Sequence, residues 1–373
     1  MANFAPGAHF ETANVRNLLR ASGVEISEAM CLGIGGGIAA GYQYCPSVQS
    51  YETLDYSGVQ LVPRVKLMTT NGAWYRDTFA RLGLEMDVRE STGKKAAAAN
   101  LIAGLDAGKI VVAWTTPAGL AHSLSWTSTC GMYTVLVHSV SADTVTYSDH
   151  VSVRKMDLTE FNAARERVCS FKNRTLTVNV SKIAEKQWKS AVMAGLRETA
   201  GDFEKPRLGT FNLPGLKEGV GLVNGKNKRS WPVVFPGRNI LLPMRDIYES
   251  IELGTGAGLM RPLYAAFLDE ASALLGRPEL GAVAESYKGL AKQWTEFAEF
   301  ILPKPFAETK KAMKKLANGD LSQKEKLAAL RKEPFPWDAA KIESFVAEAA
   351  DRMGALYERE LAVSKELAAA AGK

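Results

Sequence analysis

Two hydrophobic periodicities share this chain of 373 residues, and they change over near residue 175. Before that point "KIVVAWTT", "MYTVLVHSV" and "DTVTYSD" are short β-branched and aromatic runs bounded by turn residues, which predicts strands, the last two a hairpin across "SAD". After it "KIAEKQWKSAVMAGLRETAGDF" reads as an amphipathic helix and the Gly- and Pro-rich "KPRLGTFNLPGLKEGVGLVNGKNKRSWPVVFPG" as a loop. "IYESIELG", "LMRPLYAAFLDEASALLG", "ELGAVAESYKGLAKQWTEFAEFIL" and "DAAKIESFVAEAADRMGALYERELAVSKELAAA" then repeat apolar residues at helical spacing. The expected fold class is α+β, with a mixed domain over residues 1–175 and an all-helical domain over residues 176–373. No repeat of fixed period is present, which argues against a solenoid.

Composition removes several function classes. Apolar residues at 46% and charged residues at 23% are those of a folding chain, not a disordered one. No window reaches the length of about eighteen apolar residues that a membrane span needs, and "MANFAPGAHF" lacks the basic start and apolar run of a secretory signal. A cytoplasmic protein is expected. Cys31, Cys45, Cys130 and Cys169 lie far apart with no C-x-x-C pair, so reduced, mostly buried thiols are expected rather than disulfides or a zinc site. His9, His122, His138 and His150 show no H-x-x-x-H spacing, and no metal is expected. The net charge of +6 gathers in "ETKKAMKKLANGDLSQKEKLAALRK" and in "NGKNKRSW". These stretches suit an acidic partner, whereas nucleic acid is disfavoured because no aromatics are interleaved and no reader module is matched.

The glycine-rich stretches are weak signals. "GIGGGIAAG" fits neither dinucleotide nor P-loop patterns, since Ile38 stands at the third glycine and no Lys-Ser or Lys-Thr follows. "GTGAG" at 254–258 opens a helix and can hold an anion on free amides. No G-x-S-x-G elbow occurs. "ANVRNLLRASG" places Val15, Leu18 and Leu19 on one helix face, with Thr12 as N-cap and Gly23 as stop, so residues 9–11 belong to a helix N-terminus.

Two stretches carry a resemblance. "HFETANVRNLLRASGVEISEAMCLGIGGGI" resembles the start of the butirosin-biosynthesis protein H N-terminal family, which runs His-Cys-x-[ST], a helix, then Leu-Ser-Glu-x-Met-x-x-Gly-x-Gly. "IELGTGAGLMRPLYAAFLDEASALLG" resembles the Gly-Thr-Gly-Gly-Gly, Phe-Arg, Tyr-Ala-x-Phe-Leu segment of the helical domain that usually follows it. The resemblance implies a papain-like, cysteine-peptidase-related fold that moves an acyl or aminoacyl group from a carrier protein's phosphopantetheine thioester, through a cysteine, to an amine. Such chemistry wants a thiolate at a helix N-terminus and a histidine oriented by an Asp or Asn.

Carried over residue by residue, His9 matches the family's His and Glu11 and Thr12 match the residues after its cysteine, but the cysteine falls on Phe10. The family's catalytic histidine falls on Met132, or on Tyr133 one residue along, while Asp149 keeps the acidic position. His138 shares a strand face with Met132, yet six residues at about 3.3 Å put it roughly 20 Å away. Cys130 is an alternative, relocated nucleophile. The expected pocket is lined by Phe10, Met132 and Tyr133, with His122 and Arg261 also at the substrate, Glu11, Asp149 and His9 as its catalytic groups, and Lys226, Lys228 and Arg229 receiving an acidic carrier protein.

Two functions follow as expectations. One is a tailoring enzyme that needs no cofactor and acts on a carrier-tethered amino acid or acyl group by carboxylate acid/base chemistry. Ring closure, elimination and direct aminolysis fit, including formation of a strained nitrogen ring such as an aziridine as sulfate departs. The other is a catalytically dead homologue that binds a carrier protein or a second biosynthetic subunit.

Overall fold

The computed structural model describes residues 4–45, 57–64, 66, 72–116, 120, 133–168, 172–206 and 209–372. The chain divides into two compact units, residues 1–36 with 66–195, and residues 37–65 with 196–373.

The first unit is built on strands that alternate. β3 (Glu85–Arg89), β4 (Val111–Thr115), β5 (Tyr133–Ser141), β6 (Thr144–Ser148), β7 (Val153–Asp157) and β8 (Thr175–Asn179) form an antiparallel sheet in the order β3-β8-β4-β5-β6-β7. Val111, Ala113, Val135 and Val137 point to one face, where they pack with Leu101 of α4 (Lys94–Asp106) and Phe161 of α5 (Leu158–Glu166). Trp114 and Thr134 belong to the other face, met by α1 (Phe10–Ala21) and α3 (Ala73–Arg81), while α2 (Glu28–Ile34) packs on α1. Asn14 donates to the Thr134 carbonyl at 2.8 Å and the Tyr75 hydroxyl meets Thr134 Oγ1 at 2.8 Å, so α1 and α3 are pinned to β5 by buried polar contacts. The hairpin expected across "SAD" is present, with Ser141 opposite Thr144 and Ala142 at φ +49° in the turn.

The second unit is mainly helical. α6 (Glu185–Glu204) spans the division, and α7 (Leu213–Val223), the single turn α8 (Trp231–Val234), α9 (Leu241–Tyr248), α10 (Arg261–Leu275), α11 (Pro278–Ile301), α12 (Ala307–Ala317), α13 (Gln323–Leu330) and α14 (Ala339–Ala370) follow. The last three long segments keep the expected helical face, with Tyr287, Leu290, Trp294, Met353 and Val363 buried.

Three features depart from the sequence expectation. β8 runs past residue 175 and pairs with β3 and β4 inside the sheet, so the first unit extends to residue 195. Residues 37–65 join the helical unit, which is therefore not all-helical: β1 (Gly41–Tyr44) pairs with β2 (Val59–Val62), Gly41 lies against the Phe211 backbone, and Trp231 Nε1 donates to the Tyr42 hydroxyl at 2.9 Å. The stretch expected as a loop contains α7, begun by Asn212, whose side chain accepts the Leu213 amide. Its Gly219 sits where a Cβ would fall 2.4 Å from the Tyr42 ring, so the glycines that suggested a loop serve close helix–strand packing. Among the described residues no helix is long and apolar enough to cross a membrane.

Candidate functional site

The N-terminus of α1 is capped by His9, not Thr12. His9 is extended (φ −143°, ψ 138°) and its Nδ1 accepts the Glu11 amide at 3.3 Å, so the helix starts at Phe10 and Thr12 falls inside its first turn. Glu28, the first residue of α2, supplies the negative charge this end attracts: its carboxylate accepts the amides of Ala8 and His9 at 3.0 and 2.9 Å, the Thr12 hydroxyl at 2.7 Å and Arg16 at 3.3 Å.

Phe10 is half-buried and lies between two rings, its centroid 4.3 Å from that of His9 and 4.5 Å from that of Tyr133, the first residue of β5. Beyond Tyr133 stands His150, whose Nδ1 is 2.8 Å from the Tyr133 hydroxyl. The His150 carbonyl accepts the Gly7 amide at 2.7 Å, tying the segment before α1 to the end of the β5–β6 hairpin. Burial, reinforced by the negative Asp149, pushes the Tyr133 hydroxyl well above the ordinary phenol range. That phenol therefore keeps its proton and acts as a donor.

Asp149 is fully buried. One oxygen accepts the amides of Val151 and Ser152 at 2.7 Å each, and the other accepts Arg154 Nε at 2.9 Å. Its carboxylate fixes the turn that carries His150. Glu11 is 1% exposed in the first turn of α1.

The sequence profile of butirosin biosynthesis protein H, N-terminal, matches residues 9–150. Those residues belong to that family. A domain of unknown function (DUF4872) matches residues 157–329, and no curated protein matches the chain. The butirosin protein H family is related to antibiotic biosynthesis and acyltransferase-like. Its matched segment begins at His9 and ends at His150, so it encloses the aromatic stack.

Of the expected site residues, His9, Phe10 and Tyr133 come together, and Asp149 stands next to His150. Met132, His122 and Cys130 lie outside the described residues. His138 Nε2 is 2.9 Å from Ser148 Oγ in the middle of β5, and burial lowers its pKa. A bulge between Val137 and Ser139 breaks the face alternation that was to align it with position 132. Two open depressions of about 320 and 370 Å³ lie at the other end of α1, around Ser22, and contain none of the expected residues.

Arg261, expected at the substrate, is fully buried in the helical unit. Its guanidinium pairs with Glu360 at 2.7 Å and donates to the carbonyls of Leu259 and Ala39 at 2.6 and 2.8 Å. It holds a turn in which Gly256, Ala257, Gly258, Leu259 and Met260 all have positive φ. In the same turn the Gly258 amide of "GTGAG" points at Glu252 Oε1, 3.5 Å away. Lys226, Lys228 and Arg229 are exposed, with Arg229 paired to Glu218 at 2.5 Å and lying over the Tyr44 ring. Among the described residues no group of three His, Cys, Asp or Glu side chains can hold a metal ion.

His150 was missed as a site residue, although a signal for it existed. A two-residue turn at 142–143 sets Leu136 opposite Ser148, so position 150 returns beside the start of β5. Glu28 gave no such signal, because its approach to α1 depends on how two helices pack.

Proposed function

We propose that this chain is a family member without a catalytic thiol, acting on a carrier-tethered acyl or aminoacyl substrate by non-covalent proton transfer. The observation that carries the reading is the hydroxyl–imidazole pair of Tyr133 and His150, 2.8 Å apart, beside the Phe10 ring at the head of α1. The resemblance puts a cysteine at position 10 and a histidine at 132 or 133. The contact between Phe10 and Tyr133 favours 133, the spacing at which a thiol and an imidazole would have met.

A phenol held protonated suits donation to a departing group or to a carbonyl oxygen, and a neutral histidine suits uptake of the proton an attacking amine loses. Closure of a nitrogen ring illustrates the balance: the substrate amine forms a C–N bond, the C–O bond to a group such as sulfate breaks, the Tyr133 hydroxyl turns to donate to the departing oxygen, and the amine proton passes to the His150 Nδ1 that the hydroxyl has left. Asp149 is the positioning residue in this reading, and Glu11 and His9 border the same helix end.

The test is the intact mass of an acylated carrier protein before and after incubation with the chain. Loss of the leaving group with the tether retained supports the reading. Transfer of the whole acyl group supports the covalent route through another nucleophile. An unchanged mass supports a binding subunit.

A further inference from the structure

The charge of the molecule is concentrated in one place. Between Lys304 and Lys332 stand nine basic and three acidic residues, an excess equal to the net +6 of the whole chain. α12 and α13 form this segment, and their apolar sides are used internally, with Ala312, Met313, Leu316 and Leu327 buried. Two of its three acids are engaged, Glu308 with Lys326, and Asp320 with Ser322 and Gln323. Lys304, Lys311, Lys315 and Lys332 are exposed and form no ion pair among the described residues. Lys311 and Lys315 lie one turn apart on α12, beside the row of Lys310 and Lys314 that covers the Tyr248 ring. In the turn between the two helices Leu321 is 42% exposed.

We infer that the α12–α13 face is the docking surface for the carrier protein, receiving an acidic helix of that protein against Lys311, Lys315 and Lys332 with Leu321 as the apolar contact. The inference rests on the carrier-tethered reading above. A basic field steers an acidic partner and a central leucine supplies the contact that charge alone lacks. Lipid fits less well because α12 has no free apolar face to bury in a bilayer, and nucleic acid fits less well because no exposed aromatic accompanies the lysines. The loop with Lys226 and Lys228 is the smaller basic patch, and its Arg229 is already paired with Glu218.

The test measures binding of a substrate-free, phosphopantetheine-bearing acidic carrier protein to the full chain, so it needs no turnover. The charge reversals Lys311→Glu, Lys315→Glu and Lys332→Glu, combined, should weaken binding on the order of tenfold or more. Raising salt should weaken the wild type and leave the triple variant little changed. Leu321→Ser, which alters no charge, should weaken binding at every salt concentration, and far-ultraviolet circular dichroism confirms that each variant folds. Undiminished affinity in both variants overturns the inference. So does loss that follows Lys226→Glu with Lys228→Glu instead, or tighter binding of duplex DNA than of the carrier protein. If the wild type binds the carrier but leaves the mass of its acylated form unchanged, the docking surface stands and the proton-transfer reading fails.

Discussion

Tyr133 offers the sharpest single-atom test of the site, because its ring and its hydroxyl have separable tasks. Tyr133→Phe keeps the ring against Phe10 and removes the group facing His150. Turnover of a carrier-bound substrate is expected to fall about 10²- to 10⁴-fold, the range for loss of a general acid or base, with little change in thermal stability. A variant as active as the parent would remove the pair from the chemistry. Asp246 makes a different prediction. Burial drives its carboxyl from 3.8 up to about 8, against the opposing pull of Ser57, whose amide and hydroxyl donate to Oδ2 at 2.6 and 2.5 Å, and of Arg245. Between roughly pH 4 and 8 the folded chain therefore keeps a proton that the unfolded chain has lost, so this group's contribution to stability falls as pH rises and levels off above about 8. Urea unfolding at a series of pH values should show that decline, and Asp246→Asn should flatten it.

At the scale of elements, the turn before α10 is held against its own backbone preference. Leu259 and Met260 have left-handed backbone without being glycine, and Ala257 (φ 73°, ψ 158°) sits in a region almost reserved for glycine, each costing on the order of 1–3 kcal/mol. Arg261 offsets that cost by binding the Leu259 carbonyl, Ala39 and Glu360. Replacing it by leucine leaves Glu360 buried without its charge partner, and a loss of about 3–5 kcal/mol is expected in denaturant unfolding. Elements whose formation is local were readable from the chain: α1 by its apolar spacing, the β5–β6 hairpin by its turn, and α14 by its length of periodic residues. α7 was not, because glycine and proline usually signal a turn. Only the approach of Tyr42 and Thr210 shows why Gly219 and Gly215 stand in a helix.

At the scale of the whole molecule, the helical unit is discontinuous in sequence, which makes a prediction about cutting it. A chain of residues 196–373 lacks the β1–β2 pair that covers α7 and α9, and so exposes Trp231, Leu216 and Ile247. It should unfold less cooperatively and bind a hydrophobic dye that the full chain does not. Cooperative unfolding without dye binding would show that the pair is dispensable. The sequence by itself determined the two-part α+β organisation, the helix end at residues 9–11, the family of residues 9–150 and the phenylalanine where the resemblance places a cysteine. All of these depend on residues close together in the chain or on motif order. Tertiary structure alone decided that Glu28 meets the head of α1, that Arg261 is a buried clamp, and that residues 37–65 belong with helices far along the chain. Those facts depend on which distant surfaces exclude water together, and no local periodicity encodes that.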